Sequence, residues 1–358
     1  MKKGLVLWLL LVVILGVSCA KKTEETRDLF LMEQDDKNGY IDRSGQIVIS
    51  PKFELASFFI EGLAFAKDKG KFGYIDKSGS WVVKPRFDSA LPFSEGLAHF
   101  KKEGNWGYLN QKGKIVIKPK FDSALPFSGG LAGVKVKGRW GFIDQTGEMK
   151  IKPRFSVASP FYEGLAAVAV FPGGKWGYIN KDGRLAIKPQ YQFADMFSEG
   201  LAAVKVEGKL GFIDRTGKMV IEPRFDFPAE DYSNAIHIKA GENTILINDR
   251  MQRLKDYPEF NFSQGLAAVK TGKQWGYIDR SGKAVIEPEF DFPSNFYEGM
   301  AAVQVNEKWG YIDQTGHILI EPSFGYAGPF NRGLALVIAG DGSHYIDKTG
   351  KRIWSSAP

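Results

Sequence analysis

The acidic residues best placed for chemistry in this chain recur as one short motif. Asp76-Lys77-Ser78-Gly79, Asp144-Gln145-Thr146-Gly147, Asp214-Arg215-Thr216-Gly217, Asp279-Arg280-Ser281-Gly282 and Asp347-Lys348-Thr349-Gly350 all carry it. Asp close to Ser/Thr-Gly invites comparison with an aspartic-protease loop or a calcium loop. Here one extra residue separates Asp from Ser/Thr-Gly, and a protease needs two such loops facing each other, not a series along the chain. The structural reading is simpler. Asp at the first turn position accepts backbone N–H bonds and Gly at the last supplies positive φ, which suits a type I turn closed by a G1 bulge.

Other chemistry is sparse. His99, His237, His317 and His344 fall at four different places in the pattern, without metal-ligand spacing. No glycine-rich phosphate loop precedes a helix. The remaining regular carboxylates are the Glu of Ser-Glu-Gly turns such as Ser94-Glu95-Gly96. No catalytic residue, metal or cofactor is expected, and a hydrolase built on scattered carboxylates is the least favoured reading.

Two rows could bind. The aromatic row is Trp106, Trp140, Trp176, Trp275 and Trp309, with Phe72 at the same place. Exposed, it would be a stacking platform for sugar rings; the pairing of Trp and Tyr on one strand face favours core instead. The second row flanks a recurrent proline: Lys84/Arg86, Lys118/Lys120, Lys152/Arg154 and Lys188/Gln190, then Glu222/Arg224, Glu287/Glu289 and Glu321/Ser323. Its N-terminal half is a basic stripe able to attract an acidic protein or an anionic polymer. As a purely structural feature, it is the charged edge that discourages strand pairing.

The elements that must position these rows follow from a period. Gly39, Gly73, Gly107 and Gly141 lie 34 residues apart, Gly177 shows a two-residue insertion, and the spacing resumes to Gly211 and from Gly276 to Gly310. A period of this size marks a repeat architecture. In residues 97–130, strands are expected at 97–101, 106–110 and 114–118, joined by short glycine-bearing turns. The connector Pro119 to Gly130 follows and carries Phe121 and Phe127. Ten such meanders are expected to begin near Leu29, Leu63, Leu97, Leu131, Leu165, Leu201, Ala235, Leu266, Met300 and Leu334, the seventh degenerate near residues 235–260.

At the N-terminus, Lys2 and Lys3 precede an apolar run from Leu5 to Leu15 and a small-residue stretch. Residues 1–18 read as a secretory signal. Cys19, the single cysteine, stands where a lipoprotein accepts its lipid, although Gly16 occupies the usual leucine position. Residues 19–28 read as a lipidated N-terminus and polar tether. Without other thiols the chain has no disulfides, so strand pairing and packing must hold it together. The formal charge of +7 does not indicate a nucleic-acid partner.

The pairs Trp106-Gly107, Trp140-Gly141, Trp176-Gly177, Trp275-Gly276 and Trp309-Gly310 carry a resemblance. With Tyr/Phe-Ile-Asp, Pro-x-Phe-Asp and Phe-Ser-Glu-Gly-Leu-Ala, residues 29–358 are similar to bacterial WG (KWG) β-repeat proteins. That resemblance implies an all-β repeat protein of the envelope or cell surface and supplies no catalytic residues. The fold expected is a tandem array of about ten three-stranded antiparallel meanders, an open β-solenoid-like superhelix, with a many-bladed β-propeller as the alternative. The function expected is a non-enzymatic scaffold, held to the outer membrane or cell surface through Cys19, that binds an envelope protein or an anionic cell-wall polymer. A glycan or peptidoglycan binder using the tryptophans is the alternative.

Overall fold

The computed structural model describes residues 28–227, 236–240, 243–247 and 260–356. Every regular element in them is a strand. Nine antiparallel meanders span residues 29–53, 55–87, 89–121, 123–155, 157–191, 193–226, 266–290, 292–324 and 326–355, the sixth and seventh being joined into one seven-stranded sheet by the single pair Asp226 and Lys270. Among the described residues no sheet closes on itself into a barrel, and we number the nine meanders as sheets one to nine in chain order.

The third sheet shows how a unit is built. Its strands are Ser89–Ser94, Leu97–Lys102, Asn105–Asn110 and Ile115–Phe121, paired in sequence order. The connector is therefore a strand: Pro85 and Arg86 end one sheet, and Ser89–Ser94 opens the next. Ser94-Glu95-Gly96 turns the chain with positive φ at both Glu95 (53°) and Gly96 (80°), the backbone of a type I′ hairpin. The connector, expected only to join one three-stranded meander to the next, thus supplies a fourth strand. Pro does not prevent this, because it ends one strand and the pairing resumes with Asp88 N–H donating to Lys101 O at 2.9 Å.

Successive sheets pack face to face. Tyr74, Phe87, Ala90, Phe93 and Phe100 form one apolar core between the second and third, and Tyr108, Phe121, Phe127 and Val134 form the next. Connector phenylalanines meet the tyrosine or phenylalanine of the preceding sheet, as in Tyr74–Phe93 (5.0 Å), Tyr108–Phe127 (4.9 Å) and Phe142–Phe161 (4.8 Å). The connector strands also touch one another: Ser94 Oγ–H donates to Phe127 O at 2.7 Å and Ser263 Oγ–H to Phe296 O at 2.7 Å. They converge on the inside of the assembly. The last strand of each sheet lies on the outside, with alternate residues exposed.

This succession of cores has no free ends. Phe30, Met32 and Ile41 of the first sheet pack against Leu334 and Tyr345 of the ninth. Arg332 Nη1 lies 2.7 Å from Asp28 Oδ1, and Arg43 Nη2–H donates to Arg332 O. The tandem array of meanders is as expected. Its open arrangement is not: nine sheets close radially, which was the alternative. Closure requires no exchanged strand, because a sheet face buries apolar surface against its neighbour at the seam as well as anywhere else.

The count also changes. Contacts that link neighbouring sheets skip the expected seventh unit. Ser198 Oγ–H donates to Phe262 O across 64 residues where Ser94 reaches Phe127 across 33. Glu199 Oε2 accepts Gly265 N–H across 66 residues, where Glu61 and Gly96 span 35. Arg224 reaches Gly282 O across 58, where Arg86 reaches Gly113 O across 27. Each interval is longer by the same 31 residues. The segment near 235–260, which contributes the hairpin Ile236–Ala240 and Asn243–Ile247, is an insertion in the seventh sheet's connector. The strand pattern of that hairpin is what made it resemble a worn repeat.

Candidate binding surface

The recurrent aspartates are committed to their turns. Asp144 Oδ1 accepts Thr146 N–H at 2.9 Å, Thr146 Oγ1–H at 2.6 Å and Glu148 N–H at 3.0 Å. The Thr146 hydroxyl, with the two backbone bonds and Lys150, holds this carboxyl well below the usual carboxylate range. Asp214, Asp279, Asp313 and Asp347 repeat the pattern and the direction of shift. Gly147 N–H closes onto Asp144 O at 2.9 Å. A carboxylate holding three local donors serves the loop, with little capacity left for a metal or a nucleophilic water.

The tryptophan row lies inside. Trp106, Trp140, Trp176 and Trp275 are buried and Trp309 is half-buried. Three of the rings meet aromatic partners of the next sheet: Trp176–Phe193 at 6.0 Å, Trp275–Phe292 at 6.2 Å and Trp309–Tyr326 at 6.4 Å. No row of open ring faces remains for sugars, which removes the platform on which the glycan reading depended. The glycine beside each Trp has a packing reason. A Cβ on Gly107 would lie 2.6 Å from Ile117 O and 2.7 Å from Pro119 N, where the outer strand bends across it.

The basic stripe is on the outside, on the last strands of the second to fifth sheets. Lys84, Arg86, Lys118, Lys120, Lys152, Arg154 and Lys188 are all exposed. The structure divides them by role, which the sequence did not. Arg86 Nη2 donates to Gly113 O at 3.3 Å and Arg154 Nη2 to Gly183 O at 2.5 Å, each reaching the turn of the following sheet that Asn110 or Asn180 opens. Their guanidinium groups, and the Lys120 ammonium, lie 5.0–5.2 Å from the ring centroids of Phe87, Phe155 and Phe121. Lys84, Lys118, Lys152 and Lys188 have no hydrogen-bond or ion-pair partner among the described residues. The alternation follows from strand geometry near the proline bend. The residue after the proline lies against the following ring or, as Arg86 and Arg154, reaches the neighbouring sheet, and the lysine before it stands in solvent.

One constellation escaped the sequence reading. His344 is nearly fully buried; its Nδ1 lies 2.8 Å from Ser355 Oγ and its Nε2 2.9 Å from Asp341 Oδ1. Arg352 grips the same carboxylate at 2.5 and 3.2 Å and, with His344, holds Asp341 down to about 2. The composition is that of a nucleophilic triad, but the group sits on the open edge of the ninth sheet, where it fastens the final strand. His344 occupies the position of the repeat glycine, and only the strand partner Ser355 reveals the contact. His99 is fully enclosed beside Trp106 (5.5 Å) and Tyr108 (6.0 Å), and burial pushes its imidazole down to about 3. His317 is exposed on a turn, and His237 has no described side chain.

At the seam lies an open depression of about 520 Å³ lined by Arg43, Glu298, Arg332, Asp347 and Lys348. Its cations are engaged: Arg332 and Arg43 with Asp28, and Lys348 with Glu298 at 3.1 Å. Cys19 and the segments 1–18 and 19–27 lie outside the described residues.

A profile of the WG containing repeat matches residues 39–72, 72–106, 106–140, 140–170, 176–209, 211–236, 275–309 and 309–341. No curated protein matches the chain. Among solved structures, the crystal structure of the eukaryotic initiation factor is similar over 91% of this chain and 95% of its own, with a TM-score of 0.56 at 12% identity. Virginiamycin B lyase from Staphylococcus aureus covers 74% of this chain and 92% of its own at TM-score 0.38 and 12% identity. The dihydro-heme d1 dehydrogenase NirN covers 81% and 72% at 0.44 and 14%. The first likeness concerns the fold alone, and the two enzymes, at these scores, carry no argument about activity.

Proposed function

The chain belongs to the WG-repeat family, and from that premise we propose that it is an exported, non-enzymatic scaffold of the bacterial envelope, anchored by a lipid on Cys19. The observation that carries this reading is the row of exposed, unpartnered ammonium groups Lys84, Lys118, Lys152 and Lys188 on the outer strands of four consecutive sheets. A cation with no internal partner, repeated at fixed spacing on a stiff support, suits multivalent contact with an acidic protein surface. The buried tryptophans turn the reading away from glycan stacking. The apolar run ahead of Cys19 supports export and lipidation, and Ala20 in place of Asp favours the outer membrane or cell surface.

Soluble protein beginning at Lys21 and a variant with Lys84, Lys118, Lys152 and Lys188 changed to Glu would be used as bait on solubilised envelope. A protein retained by the first and lost by the second supports the scaffold. Equal retention by both removes the stripe as the working surface, and retention of an anionic polymer alone replaces the protein partner. Loss of radiolabelled palmitate incorporation in Cys19→Ala tests the anchor separately.

A further inference from the structure

The outer wall carries two charge arcs in succession. The second to fifth sheets present Lys84, Lys118, Lys152 and Lys188; at the same strand position the sixth, seventh and eighth present Glu222, Glu287 and Glu321, with Arg224, Glu289 and Ser323 two residues further on, Arg224 being tied to Gly282 O. All are exposed. The division extends to the whole chain: residues 29–191 hold 25 lysines and arginines against 16 acidic residues, and residues 192–358 hold 18 against 22.

Exposed aliphatic residues run along the outer strands, as at Val82, Val116, Val285 and Leu319, and the boundary between the fifth and sixth sheets shares them. Leu185 on the last strand of the fifth sheet is 53% exposed, and Val220 on the last strand of the sixth is 43% exposed. Exposed aliphatic residues flanked by charge have the composition of an interface centre and its rim.

We propose that this boundary is a self-association surface whose partner is a second copy of the chain. The argument is complementarity. A two-fold axis parallel to the outer strands and passing between the fifth and sixth sheets sets Lys188 of each copy opposite Glu222 of the other where the two convex walls meet, with the neighbouring charged strands flanking the contact. Because the arcs are contiguous, one two-fold operation satisfies both at once, and the contact closes as a dimer. Pro189 and Pro223 at the centre of these outer strands interrupt a backbone ladder, so association runs through side chains and weakens with salt. The proposal deepens the scaffold reading by naming one partner for the same cationic stripe.

Sedimentation velocity of the chain from Lys21 is the test, at low and high ionic strength over a concentration series. Two variants accompany it: one with Lys118, Lys152 and Lys188 changed to Glu, the other with Glu222, Glu287 and Glu289 changed to Lys. Arg86 and Arg154 are left in place because they tie sheets together. The expected result is a salt-sensitive dimer of the unaltered chain. Each variant alone should dimerise at least tenfold more weakly, and an equimolar mixture of the two should recover a dimer. Recovery in the mixture shows that both variants are folded. A chain that stays monomeric at low salt, or variants that dimerise as well as the parent, overturns the proposal. Monomers that still capture an envelope protein through the stripe would leave the scaffold reading standing; dimers whose envelope capture ignores the stripe would do the reverse.

Discussion

The Tyr345 hydroxyl donates to the Leu31 carbonyl at 2.7 Å across 314 residues of chain. At six other junctions the same tyrosine donates to a connector carbonyl 17 residues ahead, as Tyr108 does to Leu125 at 2.8 Å. The first sheet has no connector strand among the described residues, so the hydroxyl turns to the edge of the first strand. A second substitution completes the repair. Phe30 stands where the other sheets have alanine, and its ring meets Tyr345 edge-on at 5.6 Å, in place of the missing connector phenylalanine.

Tyr345→Phe should therefore lower stability by about 1 kcal/mol, the net value of one buried hydrogen bond. Phe30→Ala should cost about 3 kcal/mol and also loosen the seam. Urea unfolding gives the first figure, and small-angle scattering reads the second as a larger radius below the unfolding midpoint. An open array would show neither effect, since these residues would then lie on separate ends.

Two glycines with the same backbone conformation should respond differently. Gly217 (φ 88°) and Gly104 (φ 82°) both sit in the left-handed region. A Cβ on Gly217 would meet Ile187 of the preceding sheet at 3.1 Å, whereas one on Gly104 meets nothing within 4 Å. Gly104→Ala should cost about 1 kcal/mol of backbone strain. Gly217→Ala should cost about 1–3 kcal/mol more through crowding at the sheet interface. Equal costs measured by denaturant titration would show that the turn glycines serve conformation alone.

Acid should weaken the fold in two stages. Burial holds His99 neutral down to about 3, while an unfolded histidine protonates near 6.5. Between those values the unfolded chain binds more protons, so stability falls as pH falls, by about 1.4 kcal/mol per unit. The turn aspartates act lower. Their folded carboxyls are depressed, so their contribution is present above the ordinary carboxylate range and is lost as pH drops through the folded values. His99→Leu should abolish the upper stage and leave the lower one. Denaturant midpoints at pH 7 and pH 5 decide the matter: an equal decline in parent and variant would mean that His99 is hydrated.

Tryptophan emission should be blue-shifted and resistant to iodide, because four row members are buried among aromatic neighbours. Red-shifted, readily quenched emission would restore the glycan platform.

Much of this was legible because a repeat states each local rule many times. The Asp-x-Ser/Thr-Gly turn, the meander and the core position of Trp follow from φ requirements and strand alternation, which are local. Closure was not legible, because Phe30 and Tyr345 meet only through the accumulated rotation of nine sheets. The connector misled through Pro85 and Pro119: a proline marks the end of one strand and does not say that the next residues begin another. The division of the basic row into Arg86 and Arg154, which bind turn carbonyls, and Lys84 and Lys152, which stand free, depends on which face of a bent strand meets a neighbour. Spacing along the chain carries no record of it.

Removing the insertion is the sharpest check on the architecture. Asp226 performs for the seventh sheet what Asp88 performs for the third. Asp226 Oδ2 accepts Gly272 N–H at 2.7 Å across 46 residues, and Asp88 Oδ2 accepts Glu103 N–H at 2.7 Å across 15. On the far side of the insertion, Phe260 returns to within 5.4 Å of Phe227, ring to ring. Joining residue 228 directly to Phe260 would leave Asp226-Phe227-Pro228-Phe260-Asn261-Phe262, which matches Asp291-Phe292-Pro293-Ser294-Asn295-Phe296 of the next connector in length and in all but one residue. It would also restore 34 residues between the glycines now at 211 and 276. The shortened chain should fold with an unfolding midpoint within a few degrees of the parent, a change of about 1 kcal/mol or less, since loop length contributes only weakly to stability. If residues 229–259 formed a tenth sheet in the ring, their loss would instead expose the faces of both neighbours and cost a full interface, seen as aggregation or a collapsed midpoint.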